Sequence, residues 1–205
     1  MGLLVEGSWH DRWYDTTKSG GAFVRTVSQF RDRVCADGST DFAPESGRYH
    51  LYVAMACPWA HRTLLFRALK GLEGIISAST VHPDMLEQGW KFDSDTPDPL
   101  FGSSFLHQLY TRAQPDYSGR VTVPVLWDKA RHTIVNNESS EIIRFLDSAF
   151  SALADPTAPL ANVSMYPEDL REQIDAINDR IYHPINNGVY KAGFATTQEA
   201  YDRAV

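Results

Sequence analysis

The chemistry in this sequence centres on one cysteine, Cys57, which stands where a strand pattern gives way to a helix pattern. It lies in segment 55–62, which reads MACPWAHR. Pro58 suits the first position of a helix, so Cys57 is predicted to be the N-cap residue. Unpaired backbone N–H groups and the positive end of the helix dipole then face the sulfur, which favours the nucleophilic thiolate. The segment therefore predicts a reactive thiol.

The arrangement resembles a thioredoxin-like redox site with one of its two cysteines missing. Ala60 occupies the position where a second cysteine would stand. A monothiol site cannot close its own disulfide, so an external thiol must resolve any mixed disulfide that forms.

Other interpretations of Cys57 remain open at this point. The side chain could simply pack between strand and helix as a small hydrophobic group, which is how we interpret Cys35. A zinc site shared with His61 is disfavoured, because one Cys and one His do not make a four-ligand site. A Cys–His nucleophile pair would need a distant histidine, and the sequence identifies none. His61 itself is interpreted as a structural residue of the helix.

Two further segments point to the same kind of ligand. In thioredoxin-like domains a proline placed like Pro124 is commonly cis and exposes the backbone of the preceding residue, Val123, to an extended peptide. The alternative is an ordinary proline at the start of a strand. Segment 136–140, NNESS, opens the next predicted helix and suits a carboxylate, although plain capping is the favoured explanation when the segment is taken alone. Together with Cys57 these segments predict an extended ligand with a γ-glutamyl-like carboxylate and a thiol.

The elements that must position these residues follow an α/β order. Residue patterns predict strands at 49–54, 74–81, 121–127 and 133–135, helices at 58–70 and 138–150, and a short helical piece at 105–112. This order, which is strand, helix, strand, hairpin and helix, is typical of a mixed sheet flanked by helices, as in a thioredoxin-like domain.

Three domain regions are predicted. Residues 1–48 are expected to be an N-terminal extension lying over the domain, anchored by Trp9, Trp13 and Phe23. Residues 49–150 form the thioredoxin-like domain, with an insertion at about 83–120. Residues 151–205 comprise a proline-rich linker and the start of an all-helical domain.

The helical region carries two local predictions. Pro167 is expected at a first helical position, and apolar residues spaced by four, three and four predict one packed helix face. These residues are Leu170, Ile174, Ile177 and Ile181. Thr196 and Glu199 match a capping box at the start of another helix.

Composition excludes several classes of function. The 205 residues carry a net charge of −7, which argues against nucleic acid or an anionic membrane as the main partner. No apolar run approaches the roughly 20 residues of a membrane span, and no signal peptide is visible. Two cysteines are too few for a disulfide framework. We therefore expect a cytoplasmic protein with reduced thiols.

The motif set resembles the Xi-class glutathione transferases, which are the glutathionyl-hydroquinone reductases of bacteria, fungi and plants. The similarity runs over essentially the whole chain. The matching segments are GSWHD (7–11), CPWAHRTL (57–64), GW (89–90), SGRVTVPVLWD (118–128), NES (137–139) and NNGVYKAGFA (186–195).

This resemblance implies a role for each matching residue. Cys57 would attack the sulfur of a glutathionyl-hydroquinone, and a second glutathione would release oxidised glutathione. Tyr190 would hydrogen-bond the hydroquinone oxygen. Glutathione would be held by Trp90, the backbone of Val123, Glu138 and Ser139. Glutathione is then a co-substrate, and neither metal nor nicotinamide is required.

The resemblance departs from the family in length, since family members are markedly longer. The chain is therefore expected to be truncated within its helical domain, with weakened stability and reduced or lost turnover. The full-length family is homodimeric, so dimerisation of this chain is left open. Two other functions also remain open: a glutaredoxin- or omega-like thiol transferase or dehydroascorbate reductase, and a catalytically impaired glutathione-binding form.

Overall fold

The computed structural model describes residues 2–205, which pack as two compact units. The first unit holds the chain up to Arg12 together with Ser28–Met165, and the second holds Trp13–Val27 together with Tyr166–Val205. These units cut across the regions expected from the sequence, because part of the N-terminal segment groups with the C-terminal helices. The division into domains stays a prediction.

Within residues 2–205, the strands all lie in the first unit, together with three helices. In chain order the strands are β1 (Leu3–Val5), β2 (Ser8–His10), β3 (Tyr49–Val53), β4 (Ser77–Thr80), β5 (Gly119–Arg120), β6 (Val125–Asp128) and β7 (Thr133–Asn136). The helices are α1 (Pro58–Leu69), α2 (His107–Ala113) and α3 (Ser139–Ser148).

A four-stranded mixed sheet forms the centre of the first unit. Its order is β4-β3-β6-β7, with β3 parallel to β4 and the other neighbours antiparallel. All five residues of β3 and all four of β6 are buried. Helices α1 and α3 pack against each other. The predicted thioredoxin-like mixed sheet is confirmed.

Two strand starts differ from the sequence prediction. β4 begins at Ser77 rather than at residue 74, because the N–H groups of Ile75 and Ile76 both bond the Leu72 carbonyl in a turn. β6 begins at Val125 rather than at residue 121, directly after a proline, which has no N–H for a sheet ladder.

The N-terminal segment contributes structure of its own to the first unit. β1 pairs with β2 and with β5, giving a second, three-stranded sheet of order β2-β1-β5. Trp9 stacks on His107 with ring centroids 4.8 Å apart and donates its Nε1–H to the Glu87 carbonyl at 2.9 Å. Trp9 thus anchors this segment, as the sequence predicted.

Buried polar pairs fix the end of the linker to this unit. Lys70 Nζ lies 3.2 Å from Asp147 Oδ1 and donates to the Val163 carbonyl at 2.8 Å. Asp147 also accepts the Met165 N–H at 3.0 Å. Lys70 and Asp147 are both buried, so the charges compensate each other where water is excluded.

A buried histidine lies in β3. His50 is 2% exposed, and its two ring nitrogens lie 2.7 Å from Ser77 Oγ and 2.8 Å from Ser79 Oγ. Burial lowers the pKa of His50 to about 4, because a charged imidazole would lose its hydration. His50 is therefore neutral near pH 7.

The second unit is helical and small. It comprises 3₁₀ turns at Thr17–Ser19 and Glu168–Leu170, α4 (Arg171–Ile181), a π-helical turn at Tyr182–Asn186, α5 (Gly188–Gly193) and α6 (Gln198–Asp202). Phe23 is buried, and Trp13, which is 43% exposed, lies edge-on to Phe194 at 5.0 Å.

The expectation of one packed face on the helix after Pro167 is wrong in two respects. Pro167 precedes a 3₁₀ turn, and α4 begins only at Arg171. Leu170 and Ile177 are 42% and 47% exposed, because nothing in the described residues 2–205 covers them. Periodicity predicts which residues share a helix face, and it does not say what lies opposite.

The predicted capping box at the last helix is also wrong. The N-cap of α6 is Thr197, whose hydroxyl accepts the Ala200 N–H at 3.2 Å. Thr196 is used elsewhere: its Oγ1 lies 2.8 Å from Thr16 Oγ1 and its N–H donates to the Gly21 carbonyl at 3.0 Å.

Within residues 2–205 the longest apolar helices fall short of what a membrane crossing requires.

Candidate active site

Cys57 lies at the junction where β3 ends and α1 begins. It is the N-cap of α1, with Pro58 as the first helical residue, so this prediction is confirmed. The side chain is half-buried, and its Sγ lies 3.9 Å from the Val123 carbonyl oxygen. The sulfur therefore lies beside both the N-terminus of a helix and the non-strand segment that directly precedes β6. Neighbouring His61 is exposed, in keeping with a structural place on the helix.

The peptide bond between Val123 and Pro124 is cis, as the thioredoxin-like pattern predicted. Val123 is 6% exposed. Its backbone N–H makes no hydrogen bond to any other residue among 2–205. An amide without an internal acceptor is a donor that an extended, peptide-like ligand beside Cys57 could satisfy.

The start of α3 supplies a carboxylate and a hydroxyl. Glu138 is the N-cap residue, and its Oε1 accepts from the N–H and hydroxyl of Ser140 at 3.2 and 3.0 Å. The capping that the sequence left open is therefore present. Ser139 is 3% exposed, and as the first helical residue it has no intrahelical acceptor for its N–H.

Arg62 is a site residue to which the sequence pointed only as a cation near Cys57, without a role in holding a ligand. Its Nε and Nη2 donate to Ser139 Oγ at 3.1 and 2.7 Å, and its Nη2 lies 3.9 Å from Glu138 Oε1. The guanidinium also lies over the Trp59 ring, 5.0 Å from its centroid. Arg62 thereby links α1 to the start of α3. The only signal in the sequence was a cation one turn beyond Cys57, whose direction a sequence does not reveal.

Trp90 belongs to the same unit but lies mostly inside it. The residue is 8% exposed and part of the hydrophobic core, and its carbonyl accepts the Leu106 N–H at 2.9 Å. A role for this side chain in holding glutathione stays a prediction.

Tyr190 lies on α5 of the second unit, inside an aromatic cluster. Its ring centroid is 6.3 Å from that of Phe23 and 5.9 Å from that of Phe194. The Arg25 guanidinium lies over the ring at 4.4 Å, and Arg25 Nε donates to Asn187 Oδ1 at 2.6 Å. A contact between Tyr190 and a hydroquinone stays a prediction.

Among residues 2–205 no three His, Cys, Asp or Glu side chains are grouped so that they could hold a metal ion.

Comparisons with known proteins agree with this architecture. Residues 56–149 match the family "Glutathione S-transferase, N-terminal domain". The chain is 56% identical over 215 residues to glutathionyl-hydroquinone reductase YqjG of Escherichia coli, covering 100% of this chain and 64% of that protein. It is 55% identical over 207 residues to glutathionyl-hydroquinone reductase PcpF of Sphingobium chlorophenolicum, covering 100% and 63%.

Solved structures give the same result. A Xi-class glutathione transferase from Natrialba magadii superposes with a TM-score of 0.86 at 50% identity, covering 100% of this chain and 61% of that one. The glutathione-bound structure of E. coli YqjG superposes with a TM-score of 0.84 at 51% identity, covering 99% and 62%. The chain thus spans a little under two thirds of these relatives' length. Over its whole length it is a homologue of the Xi-class glutathione transferases, with their thioredoxin-like N-terminal domain.

Proposed function

We propose that this chain carries the glutathione-handling part of a glutathionyl-hydroquinone reductase, with Cys57 as the catalytic nucleophile. One observation carries the proposal. Cys57 caps α1 with its sulfur 3.9 Å from the carbonyl of the residue before a cis-proline, in a chain 56% identical to a protein named for this activity.

The reaction would proceed in two steps at one sulfur. The Cys57 thiolate attacks the sulfur of the glutathionyl-hydroquinone, forming a disulfide with glutathione. The carbon–sulfur bond breaks, its electron pair stays on the aromatic carbon, and that carbon takes up a proton. A second glutathione thiolate then attacks the mixed disulfide, restoring the Cys57 thiolate and giving oxidised glutathione. Glutathione is the reductant, so electrons balance without metal or nicotinamide.

The start of α3 and the Val123 backbone suit glutathione as the ligand. The Glu138 carboxylate complements the ammonium of a γ-glutamyl group, and the Ser139 hydroxyl and N–H complement its carboxylate. The Val123 N–H and C=O groups can pair with the cysteinyl peptide of an extended ligand. Trp90 would contribute to holding glutathione, as the resemblance implies. The glutathione-bound YqjG structure supports this choice of ligand.

Tyr190 would act on the aromatic fragment. A phenolic O–H near the hydroquinone oxygen can stabilise the charge that develops as the carbon–sulfur bond breaks, an effect typically of about 10²–10⁴-fold. We further propose a cytoplasmic location, since thiol chemistry with glutathione suits a reducing compartment, while homodimerisation, expected of the full-length family, stays open for this chain.

The test is intact mass after incubation with a glutathionyl-benzohydroquinone. We expect a glutathione-sized adduct on the wild-type chain that added glutathione removes, with free hydroquinone released. Cys57→Ser should give no adduct, whereas Cys35→Ser, which removes the other free thiol, should react like wild type. An adduct that persists in Cys57→Ser would contradict the proposal.

A thiol transferase acting on small disulfides or dehydroascorbate is the second candidate, since it would use the same thiol and glutathione site. Tyr190→Phe separates the two functions. We expect it to slow reduction of the hydroquinone conjugate by about 100-fold, as for loss of a proton donor, and to leave disulfide reduction unchanged. Tyr201→Phe, at an exposed tyrosine of the same unit, is the control. Labelling of Cys57 by oxidised glutathione but never by the conjugate would favour the transferase, or a binding form without turnover.

A further inference from the structure

The contact between Arg62 and Ser139 joins two helices and also orients the Ser139 hydroxyl. Two of its N–H groups, on Nε and Nη2, converge on the single oxygen of the Ser139 hydroxyl at 3.1 and 2.7 Å. Ser139 is 3% exposed, and the Arg62 side chain is 30% exposed. Two N–H donors of one charged guanidinium therefore point at one buried hydroxyl at the start of a helix.

The chemistry of a hydroxyl limits what this oxygen can do next. A serine Oγ offers two lone pairs and one O–H donor. Nε and Nη2 belong to one guanidinium and approach Oγ from the same side, so the cation turns the hydroxyl proton away from itself and leaves it to act as a donor. The adjacent positive charge also polarises the O–H bond, which strengthens any hydrogen bond it gives to an anion.

The neighbouring carboxylate defines the shape of the ligand end. Arg62 Nη2 lies 3.9 Å from Glu138 Oε1, so this carboxylate is near the guanidinium without being fully paired by it. A negative carboxylate beside a hydroxyl held as a donor complements an ammonium beside a carboxylate. That is the α-amino acid end of a γ-glutamyl group.

We propose that Arg62 is a positioning residue for glutathione, which acts by holding the Ser139 hydroxyl as a donor to the α-carboxylate of the γ-glutamyl group. The inference rests on the proposed function. In this role Arg62 makes the site specific for one carboxylate of the ligand. The role involves no contact with the reacting sulfur.

The test measures binding of two ligands by calorimetry to the full chain under reducing conditions. One ligand is glutathione, and the other is γ-aminobutyryl-cysteinyl-glycine, which lacks only the α-carboxylate. The variants are Arg62→Met, Arg62→Lys, Ser139→Ala and the double variant Arg62→Met with Ser139→Ala. Arg67→Met, at an arginine of α1 that bonds the Ile76 carbonyl instead, is the matched control.

Arg62→Met should weaken glutathione binding by about tenfold, the size expected for one charge-assisted hydrogen bond. Arg62→Lys should recover part of this loss, since lysine keeps the charge and a donor but not the fork. The double variant should bind no worse than Ser139→Ala, because the two residues act through one contact. The ligand without the α-carboxylate should bind equally to wild type and Arg62→Met.

Two results would overturn the inference while leaving the proposed function intact. One is wild-type affinity for glutathione in Arg62→Met. The other is an equal loss for both ligands, which would mean that Arg62 only holds α1 against α3. If Arg62→Met does not fold, Arg62→Lys with the same two ligands decides between these outcomes. Failure of the wild-type chain to bind glutathione would instead remove the proposed function, and this inference with it.

Discussion

The two units of this chain use their helices differently. In the first unit α3 buries five residues, three of them the large apolar side chains Ile142, Phe145 and Leu146. In the second unit α4 buries none of its eleven residues, although isoleucines recur along it at helical spacing. Both helices are amphipathic in sequence, yet only one has its apolar face covered among residues 2–205. Amphipathic spacing indicates a helix, whereas packing of its apolar face against a partner provides most of its stability.

The sharpest way to test this difference compares a buried ion pair with an exposed one. Lys70→Met leaves the Asp147 carboxylate buried without its cation, which should cost about 4 kcal/mol of unfolding free energy. Arg203→Met removes the exposed pair with Glu199 in the second unit and should cost under about 1 kcal/mol. Urea unfolding followed by tryptophan fluorescence measures both. Similar costs would show that the first unit is not the more tightly packed of the two.

A second comparison truncates one apolar side chain in each unit. Leu51→Ala removes a side chain that is fully buried in β3, so we expect a loss of about 3 kcal/mol from lost burial and a residual cavity. Ile177→Ala removes one that is 47% exposed and should cost under about 1 kcal/mol. Thermal unfolding of the two variants is the measurement. A large effect of Ile177→Ala would indicate that a second molecule covers this face in solution.

A smaller effect is expected from pH. Below its ordinary pKa of 6.5, His50 becomes protonated in the unfolded chain, whereas the folded chain resists protonation until the pKa of about 4. The unfolded state then binds more protons, so the free energy of unfolding should fall as pH drops, by about 2 kcal/mol between pH 7 and 5. Urea unfolding at several pH values measures this slope.

The control for this effect removes the titrating group. His50→Gln should flatten the slope in this pH window, whereas His183→Gln, at an exposed histidine of the second unit, should leave it unchanged. An unaltered slope in His50→Gln would assign the pH dependence to other groups.

Much of the site could be predicted because its signals are local. The N-cap position of Cys57 follows from one proline after a strand. The central sheet follows from runs of β-branched and aromatic residues. Each of these depends on neighbours within a few positions along the chain.

Features set by long-range contacts could not be predicted. The direction of Arg62 depends on where α3 begins, which lies far along the sequence. Thr196 matched a capping pattern, but its N–H donates to the Gly21 carbonyl. Thr197 is the N-cap residue instead. The residues of β1 were expected to belong to an extension lying over the domain. No residue pattern near them indicated that they pair with β5.

The central sheet also bears on how copies of this chain can meet. Its outer strands are β4 and β7. β4 is only four residues long and reads SAST, without a large apolar side chain, and at the opposite edge Arg31 forms a bridge with Asn136. Short, small-residue or covered edges are poor templates for adding a strand from another molecule. Self-association, during folding or afterwards, should therefore leave the backbone of this sheet unshared.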